Sequence, residues 1–203
     1  LTGVEHVDVQ DTSKYNQITA DGALQHADLS HYGADSYLTV NTGGYEGSTT
    51  GDVSLTVSAV DGEGYGYGYD SVRVNAVQGS DVDLNASYGS GGSYTYVNAH
   101  NGGDVTLTVD AGYGYDRVYA GTSGNLTANV NVGEGGSDVY MTAYNGGDVT
   151  ATVTGGSGED SVSLSAPDAG RIQATVHGGG GFDAGEEFRR HVGLVQDGQR
   201  RGR

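Results

Sequence analysis

Five aspartates close glycine-rich stretches of this 203-residue chain: Asp70 after Gly66-Tyr-Gly68-Tyr, Asp116 after Gly112-Tyr-Gly114-Tyr, Asp138 after Gly136-Ser, Asp160 after Gly155-Gly-Ser-Gly158-Glu, and Asp183 after Gly178-Gly-Gly-Gly181-Phe. A carboxylate is a hard anionic oxygen donor, and glycine lets a tight loop aim several carbonyls at one point. Together they form a donor set for a hard divalent cation such as calcium, which takes six to eight oxygens. The candidate ligands are Asp70, Asp116, Asp138, Asp160 and Asp183, with carbonyls contributed around Gly114, Gly136, Gly158 and Gly181. A second reading needs no metal. In it each aspartate is a turn residue that accepts hydrogen bonds from its own loop.

A repeated unit must position these side chains. Strand-like segments at 52–57, 81–86, 104–109, 125–130, 148–153 and 171–176 begin 29, 23, 21, 23 and 23 residues apart. Val53, Leu55, Val57 and their equivalents alternate with Ser54, Thr56 and theirs, the period of two that sends apolar residues to one face of a strand. A second set of segments begins at Val72, Thr95, Val118, Val139 and Val162, and its outward column reads Arg73, Tyr96, Tyr119, Tyr140 and Ser163, an aromatic ladder. A strand, turn and strand repeated at this period buries a core only by stacking. The expected fold is all-β, a parallel β-solenoid of about eight two-stranded coils of roughly 21–30 residues. Residues 1–50 read as irregular N-terminal coils, with Leu38 to Asn41 matching the second-strand pattern. Residues 51–185 read as regular repeats and 186–203 as a basic C-terminal cap or linker, where Phe188, Val192 and Val195 are spaced like one face of a short helix.

Stacking adds an electrostatic condition. Neighbouring coils lie one strand spacing apart, about 4.8 Å. Aspartates in register at about that distance repel by about 0.9 kcal/mol per adjacent pair even at the dielectric constant of water. Such a row opposes the fold unless something neutralises it, which favours the ion. Ser93 interrupts the row and predicts a weak or missing site there. The opposite turn carries a reduced form, Gly51-Asp52, Ser80-Asp81, Gly103-Asp104, Gly124-Asn125 and Gly147-Asp148, and is the weaker candidate edge.

The run Gly155-Gly-Ser-Gly-Glu-Asp-Ser-Val-Ser163 satisfies every position of the G-G-x-G-x-D-x-U-x motif and so resembles the RTX repeat. Gly112 to Tyr119 and Gly66 to Arg73 match it without the doubled glycine, and the stretch from Gly178 lacks its apolar position. The opening from Gly3 to Asp11 is similar to the lead-in strand of Caulobacter-type surface-layer proteins. The resemblance implies a calcium-binding β-roll on a secreted surface-layer protein, toxin or adhesin, with calcium held between neighbouring turns. This chain departs from that pattern in its longer coil and its reduced second turn.

Composition narrows the classes further. The chain has 38 glycines, one proline and no cysteine, so no disulfide or thiolate chemistry is open to it and an extracellular chain would need another staple. The net charge is −17, and five of the nine basic residues lie in the last fifteen positions, so residues 1–188 carry 4 basic against 25 acidic side chains. Such a body repels nucleic acid and anionic membranes and attracts cations. No apolar run reaches membrane-spanning length. Lys14 is the only lysine and the six histidines have no recognisable spacing, which argues against an enzyme. The expectation is a non-enzymatic extracellular structural protein, a calcium-stabilised rod in a surface layer, filament or adhesin, with calcium ions, other copies stacked coil on coil and surface polysaccharide as its partners. The alternatives are a carbohydrate-binding or carbohydrate-active module, supported by tyrosines in the turns, and an ice-binding face. The second would use the columns at Ser54, Asp83, Thr106, Thr127, Thr150 and Gln173, and at Thr56, Asn85, Thr108, Asn129, Thr152 and Thr175, which Asp83, Gln173 and the asparagines interrupt.

Overall fold

Where apolar and polar residues alternate, the chain forms strands, and turns of glycine and polar residues return it for the next coil. The computed structural model describes residues 1–8, 15–21, 23–29, 35–42, 51–59, 68–76, 79–99, 103–180, 187–189 and 194–197. The odd-numbered strands form one sheet: β1 (His6–Asp8), β3 (His26–Asp28), β5 (Val53–Ala59), β7 (Val82–Tyr88), β9 (Val105–Asp110), β11 (Leu126–Asn131), β13 (Val149–Thr154), β15 (Ile172–His177) and β17 (Leu194–Asp197). The even-numbered strands form the other: β2 (Tyr15–Asp21), β4 (Asp35–Asn41), β6 (Asp70–Ala76), β8 (Ser93–Ala99), β10 (Asp116–Thr122), β12 (Ser137–Ala143), β14 (Asp160–Ser165) and β16 (Glu187–Arg189). Every pairing is parallel and joins a strand to its counterpart in the next coil, so the protein is an all-β parallel solenoid.

Register runs through both sheets without a slip from β5 and β6 onward, and most inward positions are apolar. Column volumes compensate across the core. In the odd sheet the middle column reads Leu55, Leu84, Leu107, Ala128, Ala151 and Ala174, while the even sheet reads Val74, Val97, Ala120, Met141 and Leu164. Large residues thus move from one sheet to the other along the rod, and all of them stay buried. That exchange holds the spacing of the sheets at close packing, where a void or an excess methylene would be felt. Thr95 interrupts a valine column inside the core, and its hydroxyl lies 2.7 Å from the Tyr88 hydroxyl, so both buried polar groups are satisfied.

Two sequence expectations are corrected. The segment holding Phe188 and Val195 is not helical where it is described: Phe188 lies in β16 and Val195 in β17, which extend both sheets by one more coil, while Val192 falls outside the described residues. The physical reason is the open edge. β14 and β15 present rows of unpaired backbone groups that template another strand, whereas an isolated helix this short is marginal in water. Near the start, His26–Asp28 supplies a strand of the odd sheet that the repeat alignment passed over.

Candidate metal centre

Residue parity decides which turn residues enter the core. Asp70, Ser93, Asp116, Ser137 and Asp160 each stand two residues before an inward Val or Thr, so each opens its strand on the inward side. With Ser36 in front, they form one column in which serine and aspartate alternate coil by coil: Ser36, Asp70, Ser93, Asp116, Ser137, Asp160. All six are buried. Each aspartate reaches back to the serine of the preceding coil. Asp70 Oδ1 accepts the Ser36 N–H at 3.2 Å. Asp116 Oδ1 accepts both the Ser93 N–H at 2.9 Å and the Ser93 hydroxyl at 2.7 Å, and Asp160 Oδ1 accepts the Ser137 hydroxyl at 2.8 Å.

Asp138 does not belong to this column. It is in register with Arg117 and Ser161 on the outer face, one residue beyond Ser137. Its Oδ2 accepts the Tyr115 hydroxyl at 2.7 Å and stands 3.6 Å from Arg117 Nε, so a cationic partner and a donor already serve it. The expected row of Asp116, Asp138 and Asp160 is therefore corrected: Ser137 takes the middle place, and buried carboxylates lie two coils apart. Ser93 does interrupt the row as its sequence position indicated, but as one instance of a regular alternation. Sequence reasoning missed Ser36 and Ser137 because it aligned turns on aspartate. Counting back two residues from each inward valine would have found them.

Two columns of glycine line the same edge. A Cβ on Gly91, Gly114 or Gly135 would overlap the backbone of the glycine one coil earlier, and Gly158 meets Gly135 and Gly136 in the same way. Gly112, Gly133 and Gly156 repeat the pattern beside Gly89, Gly112 and Gly133. Among these, Gly133 alone combines close approach with a positive φ, 67°. Close contact between coils, more than backbone conformation, is what demands glycine here. Gly136 has more room: its nearest neighbour, the Glu159 carbonyl oxygen, would lie 2.8 Å from a Cβ. Asp183 and Gly181 lie outside the described residues.

The carboxylate of Asp116 is the electrostatic anomaly of the edge. It is 0% exposed, and Oδ2 has no hydrogen-bond partner among the described residues. Burial pushes its carboxyl up to about 6; the Ser93 bonds oppose that rise, and the charge of Asp160 adds to it. A buried charged oxygen left without a partner costs roughly 1–3 kcal/mol or more. Among the described residues no three His, Asp or Glu side chains are grouped to hold a metal. An ion bound at this edge would therefore draw most of its ligands from turn carbonyls. Asp70, Asp116 and Asp160 with the glycine columns fit that donor type, while Asp138 stands on the outer face beside Arg117.

No family model, curated protein or solved structure matches this chain.

At the opposite edge each exposed Asp or Asn bonds the backbone of the next coil. Asp52 Oδ1 accepts the Asp81 N–H at 2.9 Å, Asp81 Oδ1 the Asp104 N–H at 2.7 Å, and Asp104 Oδ1 the Asn125 N–H at 2.7 Å. Asn125 and Asp148 continue the series to the N–H groups of Asp148 and Arg171. Here the side chains act without a metal, as acceptors for the next coil's backbone and not for their own loop. The outer tyrosines of the even sheet stack on one another, with Tyr119 and Tyr140 at 5.0 Å and 10°, and Tyr94 beside Tyr119 at 5.7 Å. Arg73 covers the Tyr96 ring at 4.9 Å.

Proposed function

We propose that this chain is a non-enzymatic structural protein of the cell exterior, a β-solenoid rod that calcium stiffens and that works as a unit of a surface layer, filament or adhesin. The observation that carries the reading is the fully buried Asp116 carboxylate, whose Oδ2 is unpartnered beside columns of glycine turns. Calcium would be held by Asp70, Asp116 and Asp160 together with turn carbonyls. It would supply the positive charge that this buried carboxylate lacks. The alternation of serine with aspartate changes the reason for the ion. Mutual repulsion along the row is small at two-coil spacing, and the driving term is the uncompensated burial of the Asp116 carboxylate.

The rod shape supports a scaffold role, because a solenoid stabilised by contacts between neighbours presents long regular faces. Wherever such a rod leaves a strand edge unpaired, that edge would favour head-to-tail association between copies. The carbohydrate-module alternative rests on the turn tyrosines, of which Tyr113 and Tyr115 are exposed. Calorimetric titration of the chelator-treated chain with calcium tests the proposal. Binding that disappears in Asp116→Asn supports it, and absence of any heat or stabilisation removes it.

A further inference from the structure

The outer face of the same edge holds an arrangement suited to a different chemistry. The Tyr115 hydroxyl donates to Asp138 Oδ2 at 2.7 Å, and the ring is 48% exposed. The Arg117 guanidinium lies 5.1 Å from the ring centroid and 3.6 Å from the same carboxylate oxygen. A phenol that gives up an electron becomes a strong acid, so its oxidation is easiest where a base already holds the O–H proton. Arg117 opposes a cation on the ring but not the neutral radical left when the proton departs with the electron.

Composition leaves phenols as the exposed oxidisable class. The chain has no cysteine, no tryptophan and one methionine, Met141, which is 1% exposed. Tyr88 is buried and bonded to Thr95, and Tyr119 and Tyr140 are stacked together. Tyr115 combines exposure with a carboxylate on its hydroxyl, and Tyr113, two residues earlier in the same turn, is 70% exposed.

We propose that Tyr115 is a site of oxidative cross-linking, at which two copies of the chain are joined through a dityrosine bond. The co-reactant is a peroxide-driven one-electron oxidant of the haem peroxidase class. In each copy the Tyr115 ring loses one electron to the oxidant and its hydroxyl proton to Asp138, leaving a neutral phenoxyl radical. Two radicals join at ring carbons adjacent to the C–O carbon, forming one C–C bond. Each joined carbon then loses its hydrogen as a proton while the ring oxygen regains one. Two electrons and two protons leave per cross-link, and one hydrogen peroxide becomes two waters. In an array of rods such bonds would staple copies that have no cysteine to do so. This inference is independent of calcium at the inner column.

The test treats the purified chain with a haem peroxidase and hydrogen peroxide, then reads covalent dimer on a denaturing gel, dityrosine fluorescence, and the linked peptides by mass spectrometry. Wild type, Tyr115→Phe, Tyr113→Phe and Asp138→Asn are compared, with circular dichroism confirming that each is folded. Linked peptides containing Tyr115, loss of most of the dimer in Tyr115→Phe, and slower dimer formation in Asp138→Asn are the expected results. Undiminished dimer in Tyr115→Phe would overturn the assignment, as would linkage confined to Tyr113, Tyr140 or Tyr144. Unchanged kinetics in Asp138→Asn would overturn the role of the carboxylate.

Discussion

Asp116 and Ser93 are joined by two hydrogen bonds to a single carboxylate oxygen, one from the Ser93 N–H at 2.9 Å and one from its hydroxyl at 2.7 Å. The other oxygen, equally buried, has no partner among the described residues. The pair ties one coil to the next and leaves half of the carboxylate's bonding capacity for something else. Most of the behaviour expected of this protein follows from that imbalance.

The first consequence is a pH dependence of the metal-free chain. Burial raises the folded Asp116 carboxyl to about 6 from an ordinary value of 3.8. The folded state therefore holds this proton more tightly than the unfolded state. The protonated group contributes fully below about pH 4, and that contribution is lost as pH rises through about 6. At about 1.4 kcal/mol per unit the loss is on the order of 3 kcal/mol. Denaturant unfolding of the chelated chain, read as the difference between wild type and Asp116→Asn, should show wild type losing ground from pH 4 to 6. A difference that stays flat or reverses would contradict the assignment.

Replacing Ser93 by Ala removes the hydroxyl bond and keeps the backbone one. The expected cost is about 1.5–3 kcal/mol, the range for a bond to a charged group. Ser93→Thr keeps a hydroxyl and should recover part of it. Paired urea melts of the two variants check this ordering.

Glycine positions separate into those that touch the next coil and those that face space. Gly114→Ala would drive a methyl into the Gly91 backbone, with a cost of about 1–3 kcal/mol or more for overpacking against atoms that cannot rotate away. At Gly121 the nearest atoms lie 3.9 Å from a Cβ, so Gly121→Ala should be neutral or stabilising by up to about 1 kcal/mol. Thermal melts of the two single variants should move in opposite directions or at least differ clearly. Equal effects would sink the close-approach explanation.

The second edge should behave as a hydrogen-bond ladder and not as a metal site. Asp104→Ala strips the acceptor from the Asn125 N–H and is expected to cost about 1 kcal/mol, whereas Asp104→Asn retains the acceptor and should cost less. Neither change should alter the response to calcium. Calorimetric titration of Asp104→Asn checks it.

The solenoid was legible in the sequence because strand periodicity, repeat length and glycine turns agree at every level, and stacking fixes the rest. Inward columns such as Val53, Val82, Val105, Leu126 and Val149 were readable from alternation alone, and the structure places them in one register. The turn was harder. Its length varies between coils, so aligning on aspartate moved Asp138 one residue out of phase, and a shift of one residue in a strand changes faces. Residues near 188 and 195 were misjudged because three apolar positions fit a helical spacing, while the edge that recruits them as strands belongs to the preceding coil.

Thermal melting with calcium and with chelator, on wild type and Asp116→Asn in parallel, tests the metal-stiffened rod most directly. Calcium at one hundred times its dissociation constant should stabilise wild type by about 2.7 kcal/mol. The melting temperature of wild type should rise with calcium and fall with chelator, and that of Asp116→Asn should respond little to either. A wild-type melting temperature that is the same in calcium and in chelator would contradict the proposal.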